Sequence, residues 1–180
     1  MKLSIKQIRL GLGWLAAPLY VVVADPTPRL LGLGAAVAVV GLLIRGWAAG
    51  TIHKNKVLTT GGPYAFTRNP LYLGTFFMGL GLAIASNRWY VWLAFAALFI
   101  GVYGATIRHE ARNLERWFGD DYRRYAAEVP LFLPRPTPYR PAEPHPTSFD
   151  LKRYLRNREY EAALGMLVGF LALAAKLVWL

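Results

Sequence analysis

No cysteine occurs in the 180 residues, which excludes disulfides and thiolate metal sites. Acidic residues are scarce, 10 against 21 lysines and arginines, for a formal net charge of +11. That imbalance calls for an anionic partner, either nucleic acid or a phospholipid surface. No repeat of solenoid type and no low-complexity tract is present. Apolar residues are abundant instead: 55% of the chain is hydrophobic and 14% aromatic, gathered in blocks. The basic residues stand beside those blocks, which selects membrane lipid headgroups over nucleic acid as the partner.

Five runs stand out, at about 10–24, 29–50, 70–86, 89–107 and 162–180. Each approaches the roughly 20 residues that cross a bilayer core as a helix. The tight turns "DPTP" (25–28) and "SNR" (86–88) make the first two runs, and the third and fourth, antiparallel hairpins. The sequence therefore predicts an all-α polytopic membrane bundle of about five transmembrane helices with short cytoplasmic helices, one domain over 1–180. A secretory signal is the alternative for the first run, since Lys2, Lys6 and Arg9 precede it. The turn leads straight into a second run, which favours a span.

Basic residues set the expected orientation. Lys2, Lys6 and Arg9, then Lys54, Lys56 and Arg68, then eleven more from Arg108 to Arg158 fall on one side. Arg29, Arg88 and Lys176 fall on the other, Lys176 close enough to the end to snorkel. The N-terminus and the 51–69 and 108–160 segments are expected to face the cytoplasm. Glycines in the second to fourth runs read as close helix packing. The proline-rich stretch 130–147 reads as an extended surface connector. In "FDLKRYLRNREYEAALG" (149–165), Leu151, Tyr154 and Leu155 form a stripe opposite Lys152, Arg153, Arg156 and Arg158. That pattern predicts a helix in the headgroup plane, either a topology signal or a cover over a lateral entrance.

Two segments can carry chemistry. After the fourth run, helical spacing places Glu110 on a stripe with Ile107, Leu114 and Trp117, beside Ala111 and Phe118. An acid there needs a partner. It is either salt-bridged to Arg45 or Arg68, or it receives a cationic ligand group. Gly119 ends that helix, Asp120 caps the next, and Tyr122, Tyr125 and Val129 face inward; the arginines around them meet lipid phosphates. The second segment is "TTGGPYAFTRNPLYLG" (59–74). Asn69 is expected to cap the third span and Pro70 to open it. The helix N-terminus at 69–72 suits a carboxylate, and Tyr64, Phe66 and Tyr72 offer flat surfaces for a purine. The two segments together suit a zwitterion bearing an aromatic base.

"TTGGPYAFTRNPLYLG" followed one hairpin later by "E…L…FGDDYRRYAAEVP" resembles the isoprenylcysteine carboxyl methyltransferases and the related phospholipid methyltransferases. These are integral membrane enzymes that use S-adenosyl-L-methionine. The resemblance covers about 51–134, which it marks as a cofactor-binding core, with 148–180 supplying an amphipathic helix and the last span. It implies cofactor contacts from Lys56, Val57, Leu58, Thr59, Tyr64, Asn69, Pro70, Leu71, Tyr72 and Glu110. Asn69 stands where the family has His, and Ala111 where it has a second Glu. Thr106 replaces the family's substrate arginine, and Arg108 is the nearest substitute. No catalytic base is identified; His53 and His109 are the nearby candidates.

The resemblance implies methyl transfer to a lipophilic, membrane-embedded carboxylate or amine of a lipid or prenylated molecule. The alternatives are a non-catalytic lipid-binding bundle and a membrane NADPH-dependent reductase of related architecture. Expected partners are membrane lipids and the acceptor, with no nucleic acid, no metal and no protein partner indicated.

Overall fold

The computed structural model describes residues 16–53, 57–141 and 148–179. All regular structure among them is helical. Residues 16–23 form α1. Then come α2 (Pro28–Thr51), a 3-10 turn (Gly62–Ala65) and α3 (Pro70–Ser86). A long rod follows, made of α4 (Trp89–Leu98), a π-helical turn (Phe99–Tyr103) and α5 (Gly104–Glu128). The short α6 (Leu151–Arg156) and α7 (Tyr160–Trp179) complete the order.

Three of these are long and apolar enough to cross a bilayer: α2, the 40-residue rod and α7. The protein is a membrane protein of helical class. The expectation of about five spans is met in part. At 17 residues α3 is apolar but rises only about 26 Å, short of a bilayer core. Beyond the fourth run the chain continues as helix, as the spacing after Ile107 predicts, to the bend at Gly119 and on to Glu128. Of the first run, 10–15 lies outside the described residues and 16–23 is helical.

Local chemistry sets the boundaries. Thr27 caps α2 by accepting from the Leu30 N–H at 3.3 Å, and Pro28 sits where no helical N–H is needed. Asn87 closes α3 in the left-handed region at φ 51°. Both turns at that end are tied together. Asp25 N–H donates to the Ser86 carbonyl at 2.8 Å, and Arg88 pairs with Asp25 at 3.2 Å.

The tightest contact joins α2 to α3, backbone on backbone. Gly41 and Gly74 oppose one another. A Cβ on Gly41 would lie 2.5 Å from the Gly74 carbonyl oxygen, and one on Gly74 would lie 2.6 Å from that of Gly41. Gly34 and Gly81 repeat the arrangement seven residues away on each helix, so the pair runs antiparallel in one fixed register. Without a hydrophobic driving force between helices in lipid, such backbone approach is what holds them. Replacing Gly81 by Val therefore drives a branched side chain into the Gly34 carbonyl. We expect a loss of about 1–3 kcal/mol or more in a denaturation assay in detergent. Gly101→Val is the control, since a Cβ there meets nothing within 4 Å. Equal stability of the two variants would rule out this packing.

At the turn end of the bundle, α7 reaches α1. Lys176 Nζ donates to the carbonyls of Val21, Val22 and Ala24 at 2.9, 2.7 and 2.7 Å. The expected snorkelling is corrected, because the ammonium caps the open end of α1 instead. Uncapped helix carbonyls in an apolar medium are costly, and a lysine is a suitable donor for them.

Candidate functional site

The site lies at the other end of the bundle, where the 57–69 loop enters α3. The loop is clamped by the proline-rich segment. Three consecutive carbonyls accept from it: Pro130 from Arg68 N–H at 3.0 Å, Leu131 from Asn69 Nδ2 at 2.8 Å, and Phe132 from Thr67 Oγ1 at 2.8 Å. In return Arg135 N–H donates to the Phe66 carbonyl and Tyr139 N–H to that of Ala65, each at 2.9 Å. Residues 130–141 form no helix and run largely exposed along the surface, as expected, and their backbone also acts as a clasp on the loop; 142–147 lie outside the described residues. Asn69 does occupy the cap position of α3, but its side chain makes no capping bond and serves the clasp. Pro70 is the first residue of α3, as expected.

Under the loop sits the far end of α5. Gly119, at φ 52° and ψ −122°, bends the helix, a conformation that suits a residue without a Cβ. Beyond the bend Tyr122, Tyr125 and Val129 turn inward and are buried, as expected. Asp120 pairs with Arg123 at 2.8 Å, and no capping bond is made by it. Tyr125 OH donates to the Tyr64 carbonyl at 2.7 Å, which fixes the 3-10 turn that carries Tyr64.

The two chemistry-bearing segments do meet. Tyr72 OH donates to Glu110 Oε1 at 2.6 Å, and the Tyr72 ring lies edge-on to Tyr103 at 5.7 Å. Neither expected arginine pairs with Glu110. Arg45 binds Glu159, and Arg68 donates to Tyr122 OH at 3.1 Å. Glu110 and Trp117 are exposed, while Ile107, Ala111, Leu114 and Phe118 line the inner face. The reason is helical phase: at about 100° per residue, both lie roughly 60–80° from the axis through Ile107. Glu110 is a carboxylate on the flank of the inner face, orientated by a tyrosine.

The remaining predicted residues divide. Tyr64 is buried beneath the loop. Leu71 starts α3 alongside Pro70 and Tyr72. Thr59 accepts from His53 N–H at 3.1 Å, Leu58 packs on the Tyr122–Tyr125–Val129 cluster, and Val57 is half-buried. These three support the loop, and none bonds to Glu110. Thr106 spends its hydroxyl on the Val102 carbonyl, and Arg108 is exposed. Lys56 lies outside the described residues. His53 stands within 3.2 Å of the Arg153 guanidinium, and His109 is exposed.

Arg45 and Glu159 carry no motif signal. Arg45 gives Nε and Nη2 to the two oxygens of Glu159, at 3.0 and 2.9 Å, and Nη1 to Thr75. The group joins α2, α3 and the start of α7. The clue in the sequence was an arginine inside an apolar run, which demands a partner. Beside it is Tyr64, only 7% exposed, whose hydroxyl has no hydrogen-bond partner among the described residues. Burial pushes that hydroxyl's pKa far above its usual value; Tyr125, Glu110 and Glu159 push the same way, while Arg45 opposes. The hydroxyl stays protonated and is a free donor in the field of two carboxylates and one guanidinium.

A family profile described as phospholipid methyltransferase matches residues 31–121. That segment holds Arg45, Tyr64, Tyr72 and Glu110. The Cobalt-zinc-cadmium resistance protein of Cupriavidus metallidurans is 38% identical over 110 residues, 60% of this chain and 49% of that one. The Protein-S-isoprenylcysteine O-methyltransferase of Schizosaccharomyces pombe is 32% identical over 82 residues, 46% of this chain and 35% of its own length. The Nickel-cobalt-cadmium resistance protein of Alcaligenes xylosoxydans xylosoxydans is 32% identical over 153 residues, 82% of this chain and 69% of its own. The chain thus spans about half the length of the first of these relatives and about a third of the second. No solved structure matches. With half of the chain matched by the profile and a relative aligned over most of both sequences, the protein belongs to the phospholipid methyltransferase family.

Proposed function

We propose that the protein transfers a methyl group from S-adenosyl-L-methionine to a lipophilic acceptor held in the membrane. The observation that carries this reading is the meeting of Glu110 with Tyr72, with the unpartnered Tyr64 hydroxyl in the field of the same carboxylate. The residues present fit that cofactor. Glu110, held in place by Tyr72, would take its ammonium group. The first-turn N–H groups of Leu71 and Tyr72 have no intrahelical partner and suit its carboxylate. Tyr64 OH donates to a further polar atom. Bound there, the cofactor supplies a sulfonium methyl for in-line displacement. The chain's own task is alignment and exclusion of water. The clasp at 130–139 keeps the loop from opening to solvent. Tyr64, held protonated by its burial, serves as a donor and not as a base. The site would face the cytoplasm, from which the cofactor enters.

Two relatives are named for metal resistance. Among the described residues no group of three or more His, Cys, Asp or Glu could hold a metal ion.

Calorimetry on the detergent-solubilised chain tests the proposal, with S-adenosylhomocysteine and NADPH as ligands. Binding of the first alone is expected. NADPH binding alone would support a reductase, and no binding of either a non-catalytic bundle. Tyr64→Phe sharpens the test, because its two effects have opposite signs. Removing an unpaired buried hydroxyl leaves the ligand-free protein as stable or more stable. Removing a ligand's partner lowers affinity by about 0.5–1.5 kcal/mol, or roughly two- to tenfold. Unchanged affinity in a stabilised variant would take Tyr64 out of the site.

A further inference from the structure

The rod that carries Glu110 contains a π-helical turn, Phe99–Tyr103, in which the Gly104 N–H donates to the Phe99 carbonyl. That bond reaches five positions back, where an α-helix reaches four, so the turn takes up one extra residue. Such single bulges are uncommon and recur at functional sites. Here the extra residue shows in the two rows of side chains that meet between the rod and α3. On α3 the row is Tyr72, Phe76 and Gly79, spaced as neighbours on one helix face and spanning about two turns. On the rod the facing row is Tyr103, Phe99 and Phe95. The Tyr72 and Tyr103 rings lie 5.7 Å apart and those of Phe76 and Phe99 4.9 Å apart. A Cβ on Gly79 would lie 2.6 Å from the Phe95 ring.

Phe95 and Tyr103 are eight positions apart. On an unbroken α-helix they would point about 80° apart. The residue absorbed by the π turn takes away about 100° and leaves about 20°, so the rod's row matches the row on α3. Beyond the turn the α-helix resumes, and Glu110 follows Tyr103 by seven positions, again about two turns. Tyr72 therefore meets both residues. Its ring packs on that of Tyr103, and its hydroxyl donates to Glu110 at 2.6 Å. Tyr103 is held in turn by stacking on Phe99 at 5.3 Å, and Phe99 packs on Phe132 of the clasp at 5.4 Å.

We propose that the π turn sets the register of the methyl-transfer site and that Tyr103 is a positioning residue. It holds the Tyr72 ring so that the Tyr72 hydroxyl orientates Glu110, a role that rests on the reading of Glu110 as a cofactor ligand.

The test is calorimetric titration of the detergent-solubilised chain with S-adenosylhomocysteine, with melting curves alongside. Deletion of Gly101 removes little packing, since a Cβ there meets nothing within 4 Å. It returns the rod to plain α-helix and turns α5 about 100° against α4. Affinity should fall at least tenfold. Gly101→Ala keeps the length and should bind as the unaltered chain does. Tyr103→Leu should lower affinity about two- to tenfold, the worth of an aromatic pair, and Tyr103→Phe, which keeps the ring, should not. Because Tyr103 acts through Tyr72 on Glu110, Tyr103→Leu should have no further effect once Glu110→Ala is in place. A lower melting temperature on both backgrounds with untouched affinity is a structural role alone and overturns the proposal. An equal loss of affinity on both backgrounds makes Tyr103 a direct ligand contact and overturns it too. Undiminished binding by a folded deletion variant overturns the register; if that variant does not fold, the Tyr103 cycle decides. No binding by the unaltered chain overturns the methyl-transfer reading and the proposal with it, whereas equal binding by the unaltered chain and every Tyr103 variant overturns the proposal alone.

Discussion

Glu110→Ala should lower affinity for S-adenosylhomocysteine about ten- to a hundredfold and leave the melting temperature almost unchanged. The size follows from the loss of a charge-assisted contact, roughly 1.5–3 kcal/mol. The small effect on stability follows from the position of the side chain. Glu110 is exposed, accepts from Tyr72, and pairs with neither Arg45 nor Arg68. A surface substitution of that kind usually shifts stability by no more than about 0.5 kcal/mol. Tyr72→Phe removes the orientating bond but keeps the charge, so its loss of affinity should be smaller. Titration of both variants, with melting curves alongside, gives the answer. If Glu110→Ala melts early and binds normally, the carboxylate is a structural group.

Glu159→Ala should have the opposite profile, with a large loss of stability of about 3–5 kcal/mol. Its side chain is 11% exposed and that of Arg45 is 23% exposed, so the truncation strands a guanidinium in the interior. Thr75 would be its one remaining partner among those the structure shows. Replacing both charges, Arg45→Met with Glu159→Leu, should restore much of the loss, because the damage comes from the unpaired charge and not from the missing attraction. Equilibrium unfolding of the two single variants and the double variant in one detergent measures the coupling. Strict additivity would mean that the pair contributes nothing as a pair.

Much of the bundle was legible because membrane spans announce themselves locally. The runs at 29–50, 70–86 and 162–180 coincide with α2, α3 and α7 to within about two residues, a limit set by how helix ends fray. The meeting of Tyr72 with Glu110 was legible for a different reason. Each lies in a motif-bearing segment, and a single hairpin brings the two ends together. The inward set Tyr122, Tyr125 and Val129 followed from helical spacing alone. What stayed hidden depends on partners far apart in sequence. Arg45 and Glu159 are 114 residues apart, and Arg153 and Thr51 are 102 apart. Side chains directed at main-chain carbonyls were hidden for the same reason. Asn69 looked like a cap and Arg153 like a headgroup ligand, because residue type identifies a donor without identifying its acceptor. Trp117 was misplaced for a simpler reason: a spacing of ten residues is not a whole number of helical turns.

The three carbonyls gathered by Lys176 belong to the earliest helix described, while the ammonium arrives on the latest. Translation makes the carbonyls more than 150 residues before their donor, given that Lys176 and Val21 are separated by 155 positions. Throughout that interval α1 must leave its C-terminal end to water or to other cellular factors. Arg45 likewise waits for Glu159. Two debts of hydrogen bonding are therefore settled by the last segment of the chain, one by the residue just before α7 and one near its end. A chain halted before Glu159 carries both a bare helix end and a stranded cation in its membrane portion. The last segment, from Glu159 through Lys176, supplies the partner for both.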